Sequence, residues 1–276
     1  MSKKNSNVIL KSGFKNSKEL SKIYSTFKKK ISLLKKKSIL IAVSGGPDSL
    51  ALAALSKAYS YEKECKIYYV LIDHNLRKNS SKESRSVKLL LKKYKIDLKI
   101  LKNKKLITKN IQSNARGIRY DLLISFCKKR KIKTILTAHN LEDQVETFFI
   151  RLSRGSGLQG LSSMKQVNKI NGNINLVRPL LDIKKTKLIR ISKMIFGKYF
   201  KDPTNKDKKY LRTRIRNLKK SLEKSGINYD QIFRSINNLA SSRDTLDFYF
   251  SKIYKETIKK RKNKIFIDIK NFNSFN

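Results

Sequence analysis

The residues best suited to chemistry are gathered in one short segment, Ser44-Gly45-Gly46-Pro47-Asp48-Ser49. An apolar, β-rich run from Ser38 to Val43 precedes it, and good helix formers follow at once. That order predicts strand, tight turn, helix. Gly45 and Gly46 let backbone N–H groups approach a ligand closely and accept unusual dihedrals. Pro47 suits a first helical turn, where a missing N–H costs nothing. Ser44 and Ser49 add hydroxyl donors, and the helix N-terminus behind them attracts phosphate. The lysine of a G-x-x-x-x-G-K-[ST] loop is missing, so this is not a Walker A site. Asp48 would repel phosphate unless a cation such as Mg²⁺ lay between them. The same residue types also build ordinary turns.

Two further positions carry chemistry. The chain has two histidines, His74 and His139. Each stands just past an apolar run, His74 after Cys65–Ile72 and Asp73, His139 after Thr134–Ala138, and each has a carboxylate nearby: Asp73, and Glu142 with Asp143. A histidine after a strand is usually a turn residue, but both of two at strand mouths is harder to dismiss. Ligand spacing for a metal centre is lacking.

The elements that must position these groups follow from periodicity. Leu20, Ile23, Tyr24, Phe27, Ile31 and Leu34 form a helical stripe. Strands are expected at 38–43, 65–72, 98–101 and 134–138, with helices between them and another at 184–196. Such alternation implies a parallel, doubly wound sheet. Ligands bind beyond the carboxyl ends of its strands, so one crevice could gather Ser44, Asp73, His74 and His139. From Glu223 the pattern changes. Ile232, Phe233, Ile236, Leu239, Leu246 and Phe250 suggest two or three helices, and Ile265 to Ile269 alternate like a short strand. The expected organisation is therefore an N-terminal helical extension (1–37), a catalytic domain (38–222) and a small, mainly helical C-terminal unit (223–276) that binds RNA or is structural.

Composition narrows the partners. Across 276 residues, 66 Lys and Arg face 20 Asp and Glu, a formal charge of +46. That excess suggests a polyanion, RNA or DNA first, although lysine is used heavily even where no motif occurs. Arg154, in the Gly-rich segment Arg151–Leu161, and Arg212, Arg214 and Arg216 are candidate RNA contacts. The last three alternate, and on a helix would spread over several faces, suiting phosphates along a strand better than one ion pair. Two separated cysteines argue against a disulfide framework, a zinc site or an iron–sulfur cluster. Neither a secretory h-region nor a run of ~18 apolar residues is present. A cytoplasmic protein without a membrane partner is expected.

The Ser44–Ser49 loop resembles the S-G-G-x-D-S pyrophosphate loop of the N-type ATP pyrophosphatase (PP-loop) superfamily, which implies an adenine nucleotide α-hydrolase-like fold and ATP cleaved between its α and β phosphates. Taken in order, the motifs resemble the tRNA(Ile)-lysidine synthetases. They are D-H-x-L-R at Asp73–Arg77, A-R-x-x-R-Y at Ala115–Tyr120 and T-A-H-x-x-x-D-Q-x-E-T at Thr137–Thr147. R-G-S-G at Arg154, R-P-L-L at Arg178 and D-P-T-N at Asp202 complete the set. The resemblance implies an ATP-dependent C–N ligase acting on the wobble cytidine of tRNA(Ile) with a CAU anticodon. Its C2 is adenylylated, the ε-amine of free L-lysine displaces AMP, and lysidine results.

The same resemblance implies roles. Ser44, Gly45, Gly46, Pro47, Asp48 and Ser49 would hold ATP, with Mg²⁺ at Asp48, and Asp73 and His74 would line the nucleotide side. Asp143 and Glu146, one helical turn apart, would recognise the cationic lysine together with Arg116. A buried Arg116 could stabilise charge on the α-phosphate, and His139 takes a catalytic position. The base that deprotonates the amine is a nearby carboxylate or histidine, and a homodimer is expected. Two features depart from the family. Its H-H-x-D-D reads His139-Asn140-Leu141-Glu142-Asp143 here, and little follows the helical unit. Alternatives are a PP-loop tRNA cytidine thiolase, whose paired cysteines are missing, and a non-catalytic basic RNA-binding relative.

Overall fold

The structure is a computed structural model that describes Phe14 and residues 17–76, 79–103, 111–201, 207–261 and 264–273. Arg77 and the Asp202–Asn205 turn lie outside the described residues. The described residues fall into two compact units. One runs to Asp143 and resumes over Lys165–Asp207; the other comprises Gln144–Met164 and the residues from Lys208 onward.

The first unit is built on a sheet. Helix α1 (Lys18–Ser32) precedes strand β1 (Ser38–Val43), helix α2 (Pro47–Glu62) and β2 (Lys66–Asp73). Then come α3 (Ser80–Lys92), β3 (Leu98–Lys102), α4 (Ile111–Lys129) and β4 (Thr134–Leu136). Helix α5 (Leu141–Leu152) starts in this unit and continues into the other, where α6 (Leu158–Leu161) follows. Strands β5 (Val167–Ile170) and β6 (Ile174–Val177) and helix α7 (Lys185–Phe196) return to the first unit.

The sheet order is β3-β2-β1-β4-β6-β5, parallel throughout except for β5, which runs antiparallel to β6 at the edge. The β5–β6 hairpin is absent from the sequence reading. Val167-Asn168-Lys169-Ile170 has no strand-like alternation, and its burial is slight. Strand β1 shows why both faces are covered. Ile39, Ile41 and Val43 enter the core formed with α1, α2, α3 and α7, while Leu40 enters a second core with Leu123 and Cys127 of α4. Helix α2 is buried almost all round from Ser49 to Ser56, so it needs no polar face.

The chain visits β1, β2 and β3 on one side before returning to β4 on the other. The strand order therefore reverses between β1 and β4, where doubly wound sheets open a crevice. The loop at Ser44 leaves β1 there, and the turn at His139 follows β4.

In the second unit, α8 (Leu211–Asn217), α9 (Lys219–Lys224) and α10 (Tyr229–Thr257) precede a hairpin, β7 (Ile258–Arg261) and β8 (Lys264–Ile267), and α11 (Ile269–Asn273). Where two or three helices were expected, α10 is a single helix of 29 residues. No glycine or proline interrupts Tyr229–Thr257, and a reciprocal capping box between Asn228 and Gln231 starts it. Ile232 and Ile236 are buried, whereas Leu246 and Phe250 are exposed.

Candidate active site

The loop after β1 is held by its own atoms. The Ser49 hydroxyl donates to the Gly46 carbonyl at 3.0 Å and accepts from the Ser44 N–H and hydroxyl, each at 3.1 Å. Its proton is committed inside the loop, so Ser49 braces the turn where free donation to a ligand was expected. Of the two glycines only Gly45 takes a left-handed conformation, φ +84°; Gly46, the N-cap of α2, has φ −69°. The Gly45 carbonyl accepts from the Phe200 N–H at 3.0 Å.

These differences set opposite outcomes for two substitutions. A Cβ on Gly45 would lie 2.6 Å from Val87 Cγ2, against a stiff side chain and at a strained φ. Gly45→Ala should cost about 2 kcal/mol of stability in chemical denaturation. At Gly46 the nearest atom to an added Cβ is Ser44 Oγ at 3.6 Å, an ordinary contact. Gly46→Ala should cost less than about 1 kcal/mol while crowding the N–H groups of the loop, so nucleotide binding should fall in a well-folded protein.

Asp48, in the first turn of α2, faces a dense polar cluster. Lys185 Nζ, at the start of α7, is 3.7 Å from its Oδ2. Its Oδ1 is buried without a hydrogen bond. Burial pushes the Asp48 carboxyl up to about 6; Asp143 and Glu142 add to this, while Lys185 and the Asn140 amide oppose it. Lys185 is a residue the sequence reading missed. It is one lysine among many, and only the return of α7 to the crevice distinguishes it. Glu142 helps place it, since Glu142 Oε2 accepts the Lys185 backbone N–H at 2.8 Å.

The turn after β4 is equally constrained. Asn140 caps α5: its Oδ1 accepts from the Asp143 N–H at 3.0 Å, and Asp143 Oδ2 accepts from the Asn140 N–H at 3.1 Å. The two family departures, Asn140 and Glu142, thus each have a definite part in the local structure. His139 Nδ1 pairs with Thr137 Oγ1 at 2.9 Å.

At the mouth of β2, Asp73 is turned inward and buried. Burial pushes its pKa up, but hydrogen bonds from the Ser80 and Ser81 hydroxyls and the Asn75 N–H outweigh it and hold the carboxyl below its usual value. His74 accepts from Arg119 Nε at 3.4 Å. Burial and then the Arg119 guanidinium push its pKa down to about 4 against the pull of Asp73. The imidazole is therefore neutral at physiological pH, with Nε2 as its acceptor.

Arg116 corrects an expectation, because it is exposed. Ala115, Leu123 and Cys127 form the buried stripe of α4, and a residue next to Ala115 is rotated about 100° away from that stripe. Its guanidinium stacks over the Tyr120 ring, 5.1 Å from the centroid.

The remaining candidates belong to the second unit. Glu146 is 2 % exposed and takes a bidentate contact from Arg216, Nε to Oε1 at 2.7 Å and the second nitrogen to Oε2 at 3.0 Å. Arg212 Nε lies 3.3 Å from the same carboxylate, and Arg212 also donates to Thr147 Oγ1 at 3.1 Å. The three alternating arginines thus divide. Arg212 and Arg216, four residues apart, share a face of α8 and pair with Glu146, and only Arg214 points outward. Arg154 is exposed in the turn after α5. Arg151 donates to the carbonyls of Gly160 and Ser163 at 2.7 and 3.0 Å, closing that Gly-rich loop.

Comparisons with known proteins identify the family and the fold. A family model described as a PP-loop domain matches residues 16–222. The tRNA(Ile)-lysidine synthase of Orientia tsutsugamushi is 42 % identical over 185 residues, 67 % of this chain and 42 % of that protein. That of Wolbachia pipientis wMel is 38 % identical over 70 % of this chain and 46 % of its own length. The chain thus spans less than half the length of these relatives. Among solved structures, a U34-tRNA thiolase from Methanococcus maripaludis shares the fold, with TM-score 0.66 over 80 % of this chain and 79 % of that one, at 19 % identity. Among the described residues, no helix is long and apolar enough to cross a membrane.

Proposed function

The chain belongs to the PP-loop domain family, and from that premise we propose that it uses ATP to join L-lysine to C2 of the wobble cytidine of tRNA(Ile) with a CAU anticodon, in the cytoplasm. The observation that carries this reading is the 42 % identity to a tRNA(Ile)-lysidine synthase over 185 residues, 67 % of this chain. The crevice has the parts an adenylylation needs. The N-terminus of α2 and the loop N–H groups offer donors for the leaving pyrophosphate, and Lys185 adds a cation beside them.

Mg²⁺ fits the donor set. Asp48 presents one buried oxygen without a hydrogen bond, and Mg²⁺ commonly binds through one or two carboxylates plus substrate phosphates. Asp48 would hold it, and the ion would supply charge neutralisation for the phosphates. Among the described residues, no cluster of three His, Cys, Asp or Glu side chains suits a metal held by protein alone.

Asp143, fixed by Asn140 at the start of α5, is the carboxylate we assign to the lysine ammonium. Glu146 and Arg116 complete the assignment made from sequence. Glu146 acts through its charge-paired arginines, and Arg116 from an exposed position that a bound polynucleotide could cover. His139 and the carboxylates stand as candidates for accepting the proton of the attacking amine. Arg154 and Arg214 are exposed cations available to tRNA phosphates. A thiolase reading is disfavoured by the cysteines. Cys65 and Cys127 are both buried, and burial pushes the Cys127 thiol up to about 12, far from the thiolate such chemistry needs.

The decisive experiment supplies Mg-ATP, radiolabelled lysine and a transcript of the CAU-anticodon isoleucine tRNA. Label should enter the RNA only with ATP and only when the wobble base is cytidine. A folded protein that binds the transcript but transfers no lysine would end this proposal.

A further inference from the structure

Lys185 is fixed at its root and loosely held at its tip. Its backbone N–H donates to Glu142 Oε2 at 2.8 Å, and the Leu141 N–H donates to the Ile183 carbonyl at 3.1 Å. The first turn of α7 is thereby stitched to the start of α5. The ammonium, by contrast, stands 3.7 Å from Asp48 Oδ2 and makes no hydrogen bond among the described residues. Lys187 is held more tightly, with its Nζ 3.0 Å from Glu19. The first turn of α7 contains no acidic residue, and a cation there opposes the helix dipole. Asp48 is thus the anion that keeps the Lys185 ammonium in the crevice. The Lys185 side chain is 35 % exposed, so a ligand can reach it.

Charge makes this contact exchangeable. Asp48 faces two other carboxylates, Asp143 and Glu142, with Lys185 as the cation among them. A polyphosphate enters such a place only with cations to meet it. A divalent ion on Asp48 and an ammonium 3.7 Å from the same carboxylate repel each other. The flexible four-carbon stem lets the ammonium turn to another partner while the backbone stays fixed.

We propose that Lys185 is a counter-ion that changes partners: it neutralises Asp48 in the nucleotide-free protein, and donates to a phosphate oxygen of the nucleotide once Asp48 holds Mg²⁺. The inference rests on the ATP reading above and deepens it. Lysine and metal compete for one carboxylate, and the phosphate resolves the competition. Metal and nucleotide therefore bind together better than either binds alone.

Opposite effects on two ligands separate this exchange from a structural part. Lys185→Gln and Lys185→Met keep much of the stem and remove the charge. Binding of Mn²⁺ alone is followed by electron paramagnetic resonance of the free ion. Binding of α,β-methylene-ATP with Mg²⁺ is measured by calorimetry, with adenosine as a ligand lacking phosphate. Both variants should bind Mn²⁺ at least about threefold more tightly than the native chain, because a competing charge is gone. Both should bind the analogue at least about tenfold more weakly, having lost a charge-assisted hydrogen bond, with adenosine affinity unchanged. In an Asp48→Asn background, Lys185→Gln should no longer alter Mn²⁺ affinity. Mn²⁺ affinity that fails to rise in either variant overturns the exchange and leaves the ATP reading intact. Native-like affinity for the analogue does the same. Parallel loss of adenosine and analogue also overturns it, by showing a purely structural part. If the native chain binds no analogue, the inference falls together with the reading it rests on.

Discussion

Asp48→Asn should make the protein more stable at neutral pH and inactive. The folded state holds this carboxyl near pKa 6, whereas the ordinary value is 3.8, because burial and the neighbouring Asp143 and Glu142 disfavour the anion. Between those values the folded chain binds more of the proton than the unfolded chain does. Stability from this group is therefore greatest in acid, falls as pH rises from about 4 through 6, and is then flat. A shift of about two units corresponds to about 3 kcal/mol of strain at pH 7. The side chain is 22 % exposed, and Asn also loses the Lys185 contact, so the expected gain is about 2 kcal/mol. Urea titrations without nucleotide or divalent cation should show that gain at pH 7.5 and little difference at pH 4. On the proposed function, the same variant should lose at least about a hundredfold in lysine transfer, since the loop then lacks the carboxylate proposed to hold Mg²⁺. Unchanged stability at pH 7.5 would mean Asp48 is better solvated than the structure shows. Stability that rises with activity intact would remove Asp48 from the chemistry.

Arg216→Ala should be among the most damaging changes outside the sheet unit. It strips the bidentate partner from a carboxylate that is 2 % exposed, with the Arg212 guanidinium still 3.3 Å away. Removing one member of a buried pair typically costs 3–5 kcal/mol, mostly the penalty of the charge left behind. The remaining guanidinium offsets part of this, so about 3 kcal/mol is expected. Glu146→Gln is the milder change, about 2 kcal/mol, because the freed arginines are 32 and 38 % exposed and can reach water. The double variant should cost less than the sum of the two. That non-additivity, read from urea unfolding of both singles and the double, measures the pair itself. Strict additivity would show that Arg216 and Glu146 do not depend on each other. A large rise in the KM for lysine from Glu146→Gln with native stability would instead give Glu146 to the substrate alone.

What the sequence determined by itself is local. The Ser44–Ser49 turn, the strands and helices around the sheet and the amphipathic α1 were legible, because hydrophobic period, capping and turn chemistry are written in neighbouring residues. The placement of Ser44, His74 and His139 at strand mouths followed from the same alternation. Tertiary structure alone decided the partners. Lys185 meets Asp48, which is 137 positions away in the chain; Arg216 meets Glu146 across 70. Neither pairing leaves a mark in a lysine-rich sequence, because any exposed cation looks alike until the fold brings one of them beside a buried carboxylate. The exposure of Arg116, the inward turn of Asp73 and the committed proton of Ser49 have the same origin. Residue type defines what a group can do, and burial and hydrogen-bond competition, which are set by the whole chain, decide which of those things remain open to it.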